Sequence, residues 1–431
     1  MSNKKVLILT YYWPPAGGAG VQRWLKFVKY LAEMGYEPHV YTTSNPEAPA
    51  FDESLLNDVP ANAIVLKKPI WEPFSIFKKL TSRKGNFNAG FLVEEKKKTK
   101  NWKEQLALFI RANVFVPDAK MFWIRPSFKF LQNYIQEQKI DLIISSGPPH
   151  SLHLIALKLK QKLGLKWVAD FRDPWTNIDF YKELPTLQIV DRYLHKLEKK
   201  VLEKADKVLV VGSQMLEEFK TLVPKEKIEI ISNGFDSEIA QNQKLDPDFT
   251  ILHVGSINPD RNHESFYIAL RDLVDEVEHL KDSLRIKFIG KTDFTARENI
   301  SKYQLDPYFE VTTYIPYSEV SAVQQSAHLL YLPLNNTPNA KGILTGKFFE
   351  YLAAKRPILA QGPFDGDVAE ILKETHSGSI FDFEDVLSIK QEIKKQFQYY
   401  LKKETVFESV NIEQFSRKNL TQKLKRVLDN I

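Results

Sequence analysis

Short apolar runs recur along the chain, each followed by a polar loop punctuated by Gly or Pro. In the first half they fall at Lys5–Thr10, Pro38–Thr43, Asp141–Ser145, Trp167–Asp170, Lys207–Val211 and Ile228–Ile231, and they read as buried strands. Helical spacing of apolar positions separates several of them, at Val21–Met34 (closed by Gly35), Leu152–Leu163 and Asp191–Ala205. The second half restarts the rhythm with runs at Thr250–Val254, Arg285–Ile289, Tyr308–Tyr314, Leu329–Leu334, Pro357–Ala360 and Ser379–Phe381. Its helical patterns are His263–His279, Lys347–Lys355, Val386–Leu401 and Ile412–Ile431. Between Asn45 and Phe130 no period stands out, and the segment reads as irregular. Alternating strands and helices predict an α/β architecture. Ser237–Phe249 is polar and reads as a linker, so the expected domains are 1–236 and 250–411, joined by 237–249 and followed by a final helix at about 412–431. A chain of 431 residues is too long for one ordinary core, in keeping with two domains.

Candidate chemistry lies in the loops that leave the strands, where open α/β sheets bind ligands. After Leu329–Leu334 comes a polar loop that feeds the Lys347–Lys355 helix. A helix start of this kind suits phosphate, because its N–H groups and dipole face an anion. Lys347 adds a mobile charge, and Glu350, one turn on, has the offset to reach a ribose hydroxyl while Lys347 reaches a phosphate. The alternative is a solvated Lys–Glu pair on an ordinary crossover helix. Arg261, in the loop after Thr250–Val254, falls on the same sheet edge as Lys347, or else is an exposed loop cation. In the first half, Tyr11–Gly20 is a loop holding Gly17, Gly18 and Gly20. Its glycines lack the spacing of a dinucleotide fingerprint and the Lys-Ser/Thr of a phosphate loop, so it is either a ligand turn or simply a tight one. His150 sits at a strand-to-helix turn as an acid/base, an oxygen-positioning group or a helix cap. Asp170, Arg172 and Asp173 crowd the end of Trp167–Asp170, the first two as a possible ion-pair network and Asp173 as the better contact for a substrate hydroxyl.

Composition narrows the classes. With 43% hydrophobic and 26% charged residues the chain is a folded soluble protein. No cysteine is present, which excludes thiolate chemistry and fits a reducing, cytoplasmic compartment. The start does not read as a signal peptide, and no apolar run is long enough to span a bilayer. A net charge of +6 favours anionic partners, while nucleic acid is a poor guess for want of a motif or a concentrated basic helix. Basic residues interleave with large aromatics across 67–102, either as a contact with the inner membrane surface or as the solvated face of an inserted subdomain.

Taken together, the PPAGGAG turn, SNGFD, HVGSINPDRN and GKFFEYLAAKRPILA resemble the family 4 retaining glycosyltransferases of the GT-B fold, and DFRDPW at Asp170–Trp175 resembles the relatives that build bacterial surface polysaccharides. The resemblance implies two Rossmann-like domains facing across a cleft, an N-terminal acceptor side, and a C-terminal nucleotide-sugar side. It implies a last helix packed back on the N-terminal domain. Arg261 and Lys347 match the pyrophosphate cations and Glu350 the ribose carboxylate. A second family glutamate falls at Gly342, where this chain has none; the amides of Gly342, Ile343, Leu344 and Thr345 stand as its replacement, and Gly346 opens the substrate-binding helix. The implied reaction is hexosyltransferase-like, needs no metal or cofactor, and delivers sugar to a glycan or lipid-linked acceptor oriented by His150 or Asp173. A non-catalytic binding partner of the same fold and a nucleotide-sugar epimerase are the competing expectations.

Overall fold

The computed structural model describes residues 4–48, 51–71, 102–178, 181, 184–236, 243–313, 315–404 and 407–431. The chain divides into two compact units, Met1–Ser232 with Arg417–Ile431, and Asn233–Ser416. Each is an α/β unit built on an entirely parallel sheet.

The first unit carries seven strands, β1 (Lys4–Leu9), β2 (Tyr36–Thr43), β3 (Ile64–Lys68), β4 (Leu142–Gly147), β5 (Lys166–Phe171), β6 (Lys207–Val210) and β7 (Ile228–Ile230). Their order is β3-β2-β1-β4-β5-β6-β7. β4 is buried at all of its residues because helices cover both sheet faces, which is why it opens on an apolar run, Leu142–Ile144. One face packs on Leu131, Ile155 and Leu202, the other on Trp24, Leu25 and Val28 of helix Ala19–Glu33. Helix Arg417–Asp429 joins that second face through Leu420, Leu424, Val427 and Leu428, each burial contributing about 1.5–3 kcal/mol. Lys4 and Tyr36 anchor its end by bonding Asp429 at 2.7 and 2.9 Å.

The second unit has six strands, β8 (Phe249–Val254), β9 (Leu284–Ile289), β10 (Phe309–Thr312), β11 (Leu329–Pro333), β12 (Ile358–Gln361) and β13 (Gly378–Phe381), ordered β10-β9-β8-β11-β12-β13. In both units the order reverses beside the first strand, which puts a crevice at the carboxyl ends of β1/β4 and β8/β11. Those strand ends carry the candidate residues.

Two expectations change. Residues 45–130 are not uniformly irregular: they include β3, helix Trp102–Asn113 and the start of helix Ile124–Gln138. β3 was hidden because it is an edge strand with three of its five residues exposed. The stretch Ile412–Ile431 is not one helix. Ile412–Phe415 forms a short 3-10 turn in the second unit, and Arg417–Asp429 is a separate helix of the first. Most of the basic and aromatic stretch 67–102 lies outside the described residues.

Candidate active site

In the second unit the helix Gly346–Ala354 begins where the loop after β11 ends. Thr345 caps it in an extended conformation, and Lys355, left-handed at φ 53°, closes it ahead of Pro357. Phe348, Phe349, Tyr351 and Leu352 bury its inner face. The Tyr351 hydroxyl accepts the Val254 N–H at 2.8 Å, which docks the helix on the end of β8. Lys347 therefore points at the turn that leaves β8. A Cβ on Gly255 would lie 2.6 Å from Lys347 Nζ, and Gly255 holds φ 126°, so only glycine lets the ammonium approach the backbone there.

Arg261 arrives from the other side. It closes a 3-10 turn, Pro259–Arg261, capped by the Asn258 side chain. Its Nε donates to Asn335 Oδ1 at 2.5 Å, and Asn336 N donates to Asp260 O at 2.8 Å, which ties the loop after β8 to the loop after β11. The two cations are close enough to feel each other. Burial, then Arg261, push the Lys347 ammonium well below its ordinary value, and Glu350 only partly offsets them. The structure thus gathers Arg261, Lys347, Glu350 and the helix start. An anion placed among them would relieve the repulsion.

The expected row of amides is shorter than the sequence suggests. Gly342 N and Ile343 N donate to Asn339 O and Ala340 O at 3.0 and 3.2 Å, inside the turn Ala340–Gly342. Those two amides are committed and do not stand in for a carboxylate. The amides of Leu344, Thr345 and Gly346 donate to nothing among the described residues, and the Thr345 hydroxyl is buried without a partner among them. Leu344 is anchored by its buried side chain and by Asn233, which donates to its carbonyl at 3.4 Å.

The first unit treats its strand-end charges differently. Asp170 is fully buried. It pairs with Arg23 at 2.7 Å, and Trp24 Nε1 and Ser146 Oγ each donate to it at 2.8 Å. Burial pushes the carboxyl up, but Arg23 and these hydrogen bonds outweigh it and hold the group below its usual value. Arg172 is not its partner. Arg172 donates to Gly20 O and Pro148 O at 3.0 Å each and lies over the Tyr12 ring, clamping the glycine turn to the loop after β4. Gly18, at φ 99°, precedes helix Ala19–Glu33, with Gly17 just before it and Gly20 in its first turn. Asp173, partly exposed, follows in the loop leaving β5.

His150 does not cap the helix it precedes. That role belongs to Asp118, which accepts from Ser151 N and Oγ at 2.9 and 2.7 Å. His150 instead stacks on Trp175, ring centres 4.6 Å apart and 5° from coplanar. Burial, with His153 and Arg172 nearby, holds it neutral. Its Nδ1 and the Nε2 of His153 are both buried without a partner among the described residues, and both pack on Gly147, where a Cβ would sit 2.8 and 2.6 Å from them. An imidazole whose proton affinity is held this far down is a weak base, so it suits orienting a hydroxyl better than removing its proton.

Sequence reasoning missed Arg23, Trp175 and His253. The signal for His253 was present: it is the one polar residue in the interior of ILHVG. Among the described residues no three His, Asp or Glu side chains gather as a metal-binding group, and no helix is long and apolar enough to cross a membrane.

Residues 95–239 match the family described as Glycosyltransferase Family 4, and residues 234–407 match Glycosyl transferases group 1. No curated protein sequence matches the chain. Solved structures do match in fold. HepE from Anabaena, in complex with UDP and glucose, is 13% identical with a TM-score of 0.62, covering 100% of both chains. Sucrose-phosphate synthase from Thermosynechococcus elongatus is 12% identical with a TM-score of 0.61, covering 99% of this chain and 98% of that one. WaaG, a glycosyltransferase involved in lipopolysaccharide biosynthesis, is 14% identical with a TM-score of 0.54, covering 98% and 99%.

Proposed function

The chain belongs to glycosyltransferase family 4, of the GT-B fold, and from that premise we propose that it moves a sugar from a nucleoside-diphosphate sugar to a glycan or lipid-linked acceptor. One observation carries the reading: Lys347, Arg261 and a helix start with unbonded amides share one strand-end crevice of the second unit. Breaking the sugar–phosphate bond leaves negative charge on the diphosphate. The ammonium, the guanidinium and the amides of Leu344, Thr345 and Gly346 meet that charge as it forms, so they stabilise the transition state more than the ground state. Lys347 gains most, since an adjacent anion offsets the burial and the Arg261 charge that depress its proton affinity. Glu350, one helical turn beyond Lys347, takes the ribose hydroxyls. Metal is not required in this scheme, because the fixed cations do its electrostatic work.

In the first unit, neutral His150 orients the acceptor hydroxyl and Asp173 accepts from a second one. Gly17 and Gly18 allow the acceptor close to the backbone, whereas the space beside Gly20 is taken by Arg172 and Tyr12. Attack from the face of the departing phosphate, with that phosphate taking the acceptor proton, gives retention of configuration. Cell-surface polysaccharide synthesis at the cytoplasmic membrane face is the setting we favour. Its support is the likeness to WaaG and the exposed Trp102, Leu106 and Phe109 on helix Trp102–Asn113.

The test is release of nucleoside diphosphate from a panel of nucleotide sugars, with and without a membrane extract as acceptor source. Acceptor-dependent release supports the reading. Donor turnover without acceptor points to an epimerase. Nucleotide binding with no release under any condition points to a non-catalytic partner, for which Gly342 in place of the family glutamate is the specific observation.

A further inference from the structure

His253 lies in the penultimate position of β8 and is fully buried. Its two ring nitrogens have distinct neighbours. Nδ1 is 3.0 Å from the Tyr331 carbonyl oxygen, which only accepts, so the ring proton sits on Nδ1. A second proton is opposed by burial and by Lys347 and Arg261 nearby, which together outweigh the Tyr331 and Gly255 backbone groups that favour it. Nε2 therefore presents a lone pair, and it lies 3.5 Å from Lys347 Nζ, a long hydrogen bond. The groups facing the ammonium are thus His253, Arg261, Glu350 and the Gly255 backbone. A four-carbon side chain beside a glycine turn has many rotamers to choose from. This contact selects one.

We propose that His253 is a positioning residue: its Nε2 lone pair holds the Lys347 ammonium at the Gly255 turn, where it meets the donor diphosphate without first having to be ordered. The inference rests on the diphosphate reading of the site and adds to it a residue that touches neither donor nor acceptor. Immobilising a long side chain on binding weakens affinity by about tenfold at most, which sets the scale of the effect.

His253 also packs edge-on against Phe288 and Tyr331, with ring centres 5.7 and 6.2 Å away, so a purely structural role must be separated. Two substitutions do this in opposite senses. His253→Phe keeps the aromatic packing and loses the acceptor. His253→Gln loses the ring and keeps a side-chain acceptor at similar reach. Calorimetric titration with UDP (or GDP or ADP, should the wild type prefer it) is expected to show about tenfold weaker binding in His253→Phe and part of that affinity recovered in His253→Gln. In a Lys347→Met background His253→Phe is expected to have no further effect, since nothing is left to position. Wild-type affinity in His253→Phe, a greater loss in His253→Gln than in His253→Phe, or an equal loss with and without Lys347 overturns the inference. Should His253→Phe fail to fold, His253→Gln with and without Lys347→Met closes the same cycle. No binding of any of the three nucleotides by the wild type removes the diphosphate reading itself, a result distinct from the others.

Discussion

The two units set the same kinds of residue at the same place in the same architecture and use them to opposite ends. In the first, the charges at the end of β5 are absorbed into the fold. Asp170 is enclosed by Arg23, Trp24 and Ser146, and Arg172 is spent on two carbonyl oxygens. In the second, Lys347 leans on an imidazole and Arg261 on an amide oxygen, and the two cations repel each other. Dense charge beside a buried strand is therefore no guide to function by itself. What separates the cases is whether the partners satisfy the charge or leave it strained toward an incoming ligand.

The comparison breaks most easily at Arg23. Arg23→Ala leaves Asp170 buried and uncompensated and is expected to cost about 3–5 kcal/mol of stability, read by urea denaturation. A loss below about 1 kcal/mol would place this pair with ordinary surface contacts. The mirror experiment is Lys347→Ala or Arg261→Ala. Each is expected to lower kcat/KM on the nucleotide sugar by about a hundredfold, the scale of removing one charge-stabilising donor. Stability should move the other way in Lys347→Met. A lysine whose folded-state value lies below its unfolded 10.5 is penalised while charged, fully so at pH below the folded value, with the penalty fading as pH rises to 10.5. The variant is expected to melt at or above the wild-type temperature, and a clear drop would make Lys347 structural.

Acid sharpens the contrast further. Burial lowers His150 and His153, the latter to about 3, so the unfolded chain takes up protons that the fold refuses. Stability is expected to fall as pH drops below 6.5 toward 3, at up to about 1.4 kcal/mol per pH unit for each histidine. His153→Gln should flatten that slope by one proton, and an unchanged slope would count against a neutral His153. The smallest effect belongs to Glu350→Gln, expected to weaken nucleotide affinity by severalfold through the ribose while leaving the melting temperature unchanged.

Much of this was legible in the chain. β1, β4, β8 and β11 announce themselves because helices cover both faces of a parallel sheet and leave near-continuous apolar runs. β3 and helix Phe294–Lys302 do not: one is a mostly exposed edge, the other buries only Ala296 and Ile300. Lys347, Arg261 and the Gly346 helix start could be found because their placement follows from local order, loop after strand and helix after loop. Partnerships could not. Arg23 meets Asp170 across 147 positions and Lys347 meets His253 across 94, distances over which no local pattern reports. The same blindness let Arg172 read as a partner for Asp170 and let the Gly342 and Ile343 amides read as available.

The central claim is that the second unit's cations hold a diphosphate, and proton linkage tests it most directly. UDP binding would be followed by calorimetry at a series of pH values rising to the ordinary lysine range near 10.5, in two buffers of different ionisation enthalpy at each, for the wild type and Lys347→Met. If an anion settles against Lys347, the wild type takes up protons on binding, and Lys347→Met loses both the uptake and much of the affinity. UDP bound with no proton uptake, and as tightly by Lys347→Met as by the wild type, would contradict the account.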